Sequence, residues 1–127
     1  MKISFDFDNT LSEDYIQVIA KALVDNGHDV WIMTARTSRT RNDLFYNHPD
    51  IVKVCNKIGI SINKIKITEG SMKWSYYLNG DFDLHFDDDW EEVNMINIKG
   101  GKAVLVNPDF IDMFSVLQYK NNKNGSK

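Results

Sequence analysis

The chain has 127 residues, a net charge of −3 and 43% hydrophobic residues, which suit one domain with its own core and exclude a generally basic nucleic-acid-binding protein. Its single cysteine, Cys55, excludes an intrachain disulfide, and we interpret it as a core residue of a protein in a reducing compartment, the cytoplasm. We expect neither a signal peptide after Met1 nor a transmembrane helix, because no apolar run approaches the roughly 20 residues that span a bilayer.

The first part of the chain alternates strand and helix patterns. Apolar and polar residues alternate over Lys2–Phe7, which predicts a strand. Ser12 is a suitable N-cap for an amphipathic helix that Gly27 ends. The short apolar run Val30–Met33 then predicts a buried strand.

The middle of the chain contains two helical patterns and an edge strand. A helical stretch that begins near Ser38 is expected to break before Pro49, which itself suits a first helical turn. The apolar face that follows Pro49 ends at Gly59. Ile65 and Ile67 alternate with lysines, which favours an edge strand.

The remaining elements complete an α/β pattern. They are, in chain order, a helix over Met72–Leu78, a strand over Phe82–Phe86, one or two helical turns over Trp90–Ile96, a strand over Ala103–Val106 and a helix from Pro108. Strands that alternate with helices pair in parallel through right-handed crossovers. We therefore predict a single domain over residues 1–120, a Rossmann-like parallel sheet of about five strands with helices on both faces, and a disordered polar tail over residues 121–127.

Chemically active residue types gather where the predicted strands end, the edge at which open parallel sheets bind ligands. They are, strand by strand, Asp6, Asp8, Asn9 and Thr10; Thr34, Ala35 and Arg36; Thr68, Glu69, Gly70 and Ser71 with Lys73; Asp87, Asp88 and Asp89; and Asn107 with Asp109. Clustered carboxylates need a cation, and oxygen ligands suit Mg²⁺, which is commonly shared with a substrate phosphate. The three histidines are scattered along the chain, so zinc is not expected.

Four segments resemble, in order, the four motifs of the haloacid dehalogenase (HAD) superfamily. Asp6–Leu11 (DFDNTL) is similar to motif I, DxDx[T/V], and Trp31–Arg36 (WIMTAR) to motif II, a strand that ends in Thr or Ser. Lys73 at a helix start resembles the motif III lysine, and Phe86–Asp89 (FDDD) resembles the acidic motif IV. The resemblance implies a HAD-like core and a Mg²⁺-dependent phosphatase that works through an aspartyl phosphate.

The resemblance also implies a role for each motif residue. Asp6 would be the nucleophile, and Asp8 would protonate the leaving group and later activate water. Mg²⁺ would be held by the Asp6 side chain, the main-chain carbonyl at Asp8, Asp87 and, directly or through water, Asp88. The predicted phosphate contacts are Thr34 Oγ, the Ala35 N–H, the Lys73 ammonium, Asn9 and Arg36.

Each of these residues also has a purely structural interpretation. Asp6 could lie on a polar strand face, Asp8 in a simple turn, and Thr34 could cap a helix. Lys73 could be a solvated helix lysine, with Lys66 as its rival for motif III. These interpretations remain open at the level of the sequence.

The three consecutive aspartates are not expected to be equivalent. Asp87 is the predicted direct metal ligand, although a shift of one residue in strand register would give that role to Asp88. Asp88 is otherwise a second ligand or a support for Lys73. Asp89, with the glutamates that follow it, is expected to cap the next helix.

Three arginines follow the second predicted strand, where cations oppose the dipole of a helix that begins there. They are Arg36, Arg39 and Arg41. Either they meet an anionic partner, with Arg36 the best candidate for substrate contact, or they are surface residues near Asp43 and Asp50.

The likeness is to the capless class of the superfamily, because the chain between the motifs leaves room only for helices. An open site suits nucleotides, as in the superfamily's 5′-nucleotidases, or nucleic-acid 3′-phosphate ends, as in polynucleotide kinase/phosphatase enzymes. The first alternative is a catalytically idle HAD-like module that binds phosphate or a protein, although such a module does not need Asp8. The second is a response-regulator-like receiver, which carries its acceptor aspartate at the third strand.

Overall fold

The computed structural model describes residues 1–37 and 47–107, which form a five-stranded parallel sheet flanked by helices. The elements are β1 (Lys2–Phe5), α1 (Asp14–Asp25), β2 (Asp29–Thr34), α2 (Pro49–Ile58), a 3₁₀ turn (Ile62–Lys64), β3 (Ile65–Ile67), α3 (Trp74–Asn79), β4 (Leu84–Asp87), α4 (Trp90–Ile98) and β5 (Ala103–Leu105). The strands pair in the order β3-β2-β1-β4-β5. The predicted fold class is therefore confirmed.

The order of the strands places a switch point beside β1. From β1 the chain adds β2 and then β3 on one side, and it afterwards crosses to β4 and β5 on the other side. In open α/β sheets the ligand crevice lies at the carboxyl ends of the strands next to such a switch point. The ends of β1 and β4 are therefore the place where this fold can build a site.

Alternation along the strands divides the buried side chains into two cores, one on each face of the sheet. The first core packs α1 and α2 against the sheet, and its members include Ile3, Phe5, Ile16, Ile51 and Cys55. The second core packs α3 and α4 against the other face, with Met33, Tyr77, Phe82, Ile96 and Ala103 as its buried members. The interpretation of Cys55 as a core residue is confirmed.

The first strand is shorter than predicted because the chain turns directly after Asp6. The N–H groups of Leu11 and Ser12 donate to the carbonyl oxygens of Asp6 and Phe7 at 3.0 and 2.8 Å, and these i→i+5 bonds make a wide turn. Asn9 lies in the left-handed region of this turn with φ 59°. The strand therefore ends at Phe5.

The predicted N-cap of the first helix is wrong. Helix α1 begins at Asp14, and Glu13 occupies its N-cap position. The Ser12 hydroxyl instead accepts a hydrogen bond from the Asn9 N–H at 3.0 Å. Ser12 therefore stabilises the turn after β1. It does not cap α1, because it precedes the N-cap residue Glu13.

Other boundaries differ for local reasons. Phe82 does not open the fourth strand, because its N–H donates to Tyr77 C=O at 3.2 Å and so closes α3. Helix α3 begins at Trp74 rather than Met72. Strand β2 and helix α4 are longer than predicted, and β5 ends at Leu105.

Several predicted helix boundaries are confirmed. Helix α2 begins at Pro49 and ends before Gly59, which has φ 94°, and Asp89 caps α4. The helix predicted from about Ser38, the helix predicted from Pro108 and the tail lie outside the described residues. No helix in the described ranges is long and apolar enough to cross a membrane.

Candidate active site

Three carboxylates meet at the carboxyl ends of the central strand β1 and its neighbour β4. Asp6 follows β1 and Asp87 ends β4, and both are buried, whereas Asp88 is exposed. One oxygen of each carboxylate lies within 4.8 Å of the others. The Thr10 hydroxyl lies 3.3 Å from Asp6 Oδ2 and 3.3 Å from Asp88 Oδ1. These predicted ligands are thus brought together, and a set of carboxylate oxygens fits a hard cation such as Mg²⁺.

Lys73 precedes α3, and its ammonium group is buried among carboxylates. Its Nζ donates to Asp6 Oδ1 and to Asp87 Oδ2, each at 2.7 Å, and it lies 3.8 Å from Glu92 Oε2. Burial disfavours the charged ammonium, but Asp6 and Asp87 outweigh burial and raise the pKa of Lys73. Lys73 is therefore a member of the site rather than a solvated lysine, whereas Lys66 is exposed on β3.

The environment of Asp6 favours its protonated form when no cation is bound. Burial raises the pKa of Asp6 to about 8, and the negative charge of Asp87 adds to this effect against the opposing charge of Lys73. A divalent cation among these carboxylates would reverse the balance, because it stabilises the ionised form. The charge state of Asp6 is therefore coupled to cation binding.

A buried histidine lies beneath the carboxylates. His85 on β4 is the register partner of Ser4 on β1, and both side chains are fully buried. His85 Nδ1 lies 2.7 Å from Ser4 Oγ, and His85 Nε2 lies 2.8 Å from Asp87 Oδ2. Burial lowers the pKa of His85. Burial alone would raise the pKa of Asp87, but the hydrogen bond from His85 and the charge of Lys73 lower it.

The beginning of α4 contacts both Asp87 and Lys73. The Asp89 N–H donates to Asp87 Oδ1 at 3.1 Å, while the Asp89 carboxylate accepts the Glu91 N–H at 2.9 Å and so caps the helix as predicted. The buried Glu92 carboxylate accepts the Lys73 N–H at 3.3 Å, and burial raises the pKa of Glu92. The proposed support of Lys73 thus comes from Glu92 and not from Asp88.

The loop after β2 presents the groups that were predicted to hold a phosphate. The buried Thr34 hydroxyl accepts the Arg36 N–H at 3.3 Å, as a capping residue would. Within residues 1–37 and 47–107, no acceptor is found for the Ala35 N–H. A cavity of about 210 Å³ opens beside this loop, lined by Ala35, Gly70, Ser71, Met72, Asp89, Glu91 and Glu92. Asn9 is exposed, and its phosphate contact stays a prediction.

Arg36 binds two carboxylates from different segments. Its guanidinium donates to both oxygens of Asp8, at 3.0 and 2.6 Å, and to both oxygens of Asp50, at 2.9 and 2.8 Å. The fifth N–H points to His48 Nδ1 at 3.3 Å, and the Phe7 ring lies 5.1 Å from the guanidinium carbon. Because an arginine has five N–H donors, a phosphate could bind Arg36 only by displacing one of these acceptors.

The pairing with Asp50 is the surface alternative that the sequence left open for Arg36. Hydrogen bonds from Arg36 lower the pKa of Asp50. The cluster of three carboxylates within the described residues does not include Asp8. Both oxygens of the Asp8 side chain instead accept hydrogen bonds from Arg36. Arg39, Arg41 and Asp43 lie outside the described residues.

Sequence reasoning missed Ser4, His85 and Glu92. The signal for two of them was present, because side chains two apart on a strand share a face. Ser4 therefore lies on the side of Asp6, and His85 on the side of Asp87. Glu92 offered no such signal, because an acid in the first turn of a helix is explained by the helix dipole alone.

Comparison of the chain with family models, with curated proteins and with solved structures found no match. The chemistry of the site therefore follows from its own side chains. Their main feature is a buried ammonium between two buried aspartates, with a third carboxylate at the surface.

Proposed function

We propose that this chain is a Mg²⁺-dependent phosphomonoester hydrolase of the capless HAD type. One observation carries the proposal: Lys73 Nζ lies 2.7 Å from Asp6 and 2.7 Å from Asp87 at the sheet's switch point. Two buried acids on one buried lysine, with a third acid within reach, are costly for stability and are characteristic of functional sites.

The residues that would hold the cation are Asp6, Asp87 and Asp88, with the main-chain carbonyl at Asp8 as the further ligand that the HAD resemblance implies. The cation would neutralise negative charge on the phosphoryl oxygens of the substrate. The Ala35 N–H, which has no acceptor among the described residues, is a candidate donor to the same oxygens. Lys73 and the Thr34 hydroxyl complete the proposed set of donors.

Asp6 would carry the covalent step. One of its carboxylate oxygens attacks the phosphorus atom, and the ester P–O bond breaks as the leaving oxygen takes a proton from Asp8. Water then attacks the aspartyl phosphate and gives a proton back to Asp8, which releases inorganic phosphate and restores Asp6. Arg36 holds both oxygens of Asp8, so Asp8 must release one of these bonds before it carries a proton.

The substrates that the open site suits best are nucleotides and nucleic-acid 3′-phosphate ends, which an intracellular enzyme would meet. The acidic side chains around the cavity beside Ala35, among them Asp89 and Glu91, oppose long polyanions. We therefore rank small phosphomonoesters such as nucleoside monophosphates ahead of oligonucleotides.

The first experiment is hydrolysis of p-nitrophenyl phosphate with Mg²⁺ by the wild type and by Asp6→Asn. We expect the substitution to lower kcat by at least about 10³-fold, because an amide cannot form the aspartyl phosphate. Asp25→Asn, a change in an exposed pair with Lys21 on α1, is the matched control and should keep full activity. Chelation of Mg²⁺ should stop turnover.

A panel of 5′- and 3′-nucleoside monophosphates and 3′-phosphorylated oligonucleotides then identifies the substrate class. Undiminished turnover by Asp6→Asn would exclude Asp6 as the nucleophile. Inertness of the wild type on every compound, together with measurable binding of phosphate, would instead favour the catalytically idle binding module.

A further inference from the structure

We infer that His85 is a positioning residue for the cation site: it holds Oδ2 of Asp87 to the protein and thereby leaves Oδ1 as the oxygen that binds the cation. This inference rests on the proposed Mg²⁺-dependent function. It concerns a histidine that is fully buried, that contacts no proposed substrate group and that makes two hydrogen bonds to side chains from different strands.

The partners of His85 assign the proton on its ring. Nε2 lies 2.8 Å from Asp87 Oδ2, and an ionised carboxylate only accepts hydrogen bonds, so Nε2 must carry a hydrogen atom. Nδ1 lies 2.7 Å from Ser4 Oγ, whose hydroxyl can donate to an unprotonated ring nitrogen. The Asp87 carboxylate thus selects the Nε2–H form of the neutral ring, and the Ser4 hydroxyl supports this form by donating to Nδ1.

The two carboxylate oxygens of Asp87 differ in how many further hydrogen bonds or ligands they can accept. Each carboxylate oxygen can accept about two hydrogen bonds. Oδ2 already accepts from His85 at 2.8 Å and from Lys73 at 2.7 Å, whereas Oδ1 accepts only from the Asp89 N–H at 3.1 Å. The remaining acceptor position on Asp87 is therefore on Oδ1.

Fixing the rotation of Asp87 matters for a cation with strict geometry. Mg²⁺ requires nearly octahedral coordination at short distances, and the hydrogen-bond partners of ligands orient them. Three donors from three different segments hold this carboxylate: His85 on β4, Lys73 before α3 and Asp89 before α4. Loss of His85 frees a position on Oδ2 and lets the carboxylate rotate.

The test measures Mg²⁺ binding by titration calorimetry without substrate. His85→Leu alone would leave the Ser4 hydroxyl buried without its partner, so the informative variant is the double change Ser4→Ala/His85→Leu. We expect its dissociation constant for Mg²⁺ to rise about 10- to 100-fold. His85→Gln, whose amide nitrogen reaches about as far as Nε2, should restore most of the affinity. His28→Gln, at the opposite end of the sheet beside Met1, is the matched control.

The outcomes separate this inference from the proposed function. If the wild type and the double variant bind Mg²⁺ equally well, His85 does not position the ligand, although the metal-dependent function survives. The same conclusion follows if His85→Gln binds no better than the double variant. If the wild type itself binds no Mg²⁺, the proposed function fails and the inference fails with it.

A second measurement does not depend on the metal. In ¹⁵N NMR spectra of the wild type, the directly bonded hydrogen of the His85 ring should be on Nε2, and Ser4→Ala should weaken this preference. A ring that carries its hydrogen only on Nδ1 would overturn the inference even if Mg²⁺ binds, because such a ring cannot donate to Asp87.

Discussion

At the scale of single residues, the site depends on one buried ammonium group. Lys73 compensates the charges of Asp6 and Asp87, and removal of one member of such a buried set leaves an unpaired charge. The compensation is incomplete, because burial still raises the pKa of Asp6 to about 8. The cluster therefore holds a proton at neutral pH that a cation can displace.

This proton predicts how stability depends on pH. Between about pH 4 and pH 8 the folded protein keeps a proton on Asp6 that the unfolded chain has released, so the free energy of unfolding should fall as pH rises, by at most about 1.4 kcal/mol per pH unit from this group. Asp6→Asn cannot ionise and should lose this part of the slope. Urea unfolding in the presence of chelator, at a series of pH values, measures both proteins.

A control variant and added Mg²⁺ test whether Asp6 causes this dependence of stability on pH. Asp25→Asn should keep the slope of the wild type, and saturating Mg²⁺ should flatten the slope of the wild type, because a bound cation keeps Asp6 ionised. Equal slopes for the wild type and Asp6→Asn in chelator would show that Asp6 is ionised throughout, in conflict with a pKa raised by burial.

At the scale of elements, Arg36 joins three segments near the site. It binds Asp8 in the turn after β1 and Asp50 in the first turn of α2, and it follows β2 itself. A carboxylate in the first turn also suits the helix dipole. This ion-paired set therefore ties the beginning of α2 to the edge of the sheet where the candidate site lies.

Asp50→Asn tests this connection. Hydrogen bonds from Arg36 lower the pKa of Asp50 in the folded state, so the pair stabilises the protein above the ordinary carboxyl pKa, and this stabilisation is lost as pH falls through the lowered value. Because Asp50 is largely exposed, we expect a loss below about 1 kcal/mol at pH 7. Urea unfolding should show a difference between the two proteins that shrinks in acid. A difference that is unchanged in acid would contradict an ionic origin.

At the scale of the whole molecule, the two cores pack on opposite faces of the sheet that carries the candidate site. Asp6 and Asp87 lie at the ends of adjacent strands, and their relative position is set by the pairing of β1 with β4. The Phe5 and Phe86 rings, one residue earlier on each strand, stack with centroids 4.8 Å apart in the first core. Geometry at the site is thus supported by packing of the same strands.

Cys55 reports on this packing. It is buried in the first core, and burial raises the pKa of its thiol to about 11 from an ordinary value of 9.0. This higher pKa by itself lowers the fraction of Cys55 that is thiolate near pH 8 by about 100-fold. We expect a disulfide reagent to label native Cys55 slowly, at a rate that follows global unfolding as urea is added.

The comparison is labelling of the fully unfolded chain in high urea, which should be fast. Rapid labelling of the native protein would show that the first core opens locally around α2, contrary to a core that unfolds as a unit.

Much of the fold was available from local patterns. Periodicity predicts the strands and helices to within a few residues because it depends on neighbours in the chain, and Pro49 and Gly59 mark the ends of α2 through their own backbone preferences. The wrong prediction of Ser12 as an N-cap also comes from reliance on a local pattern. The Ser12 hydroxyl suits both a helix cap and a turn, and the conformation after Asp6 decided between them.

The sequence by itself determined which residue types stand at the strand ends, and hence that Asp6, Asp87 and Lys73 share one edge of the sheet. Only the tertiary structure decided their partners. The contacts of Lys73 with two acids, of His85 with Ser4, and of Arg36 with Asp8 join residues from 14 to 81 positions apart. Such contacts depend on strand order and register, which arise when the whole sheet assembles and which no local pattern contains.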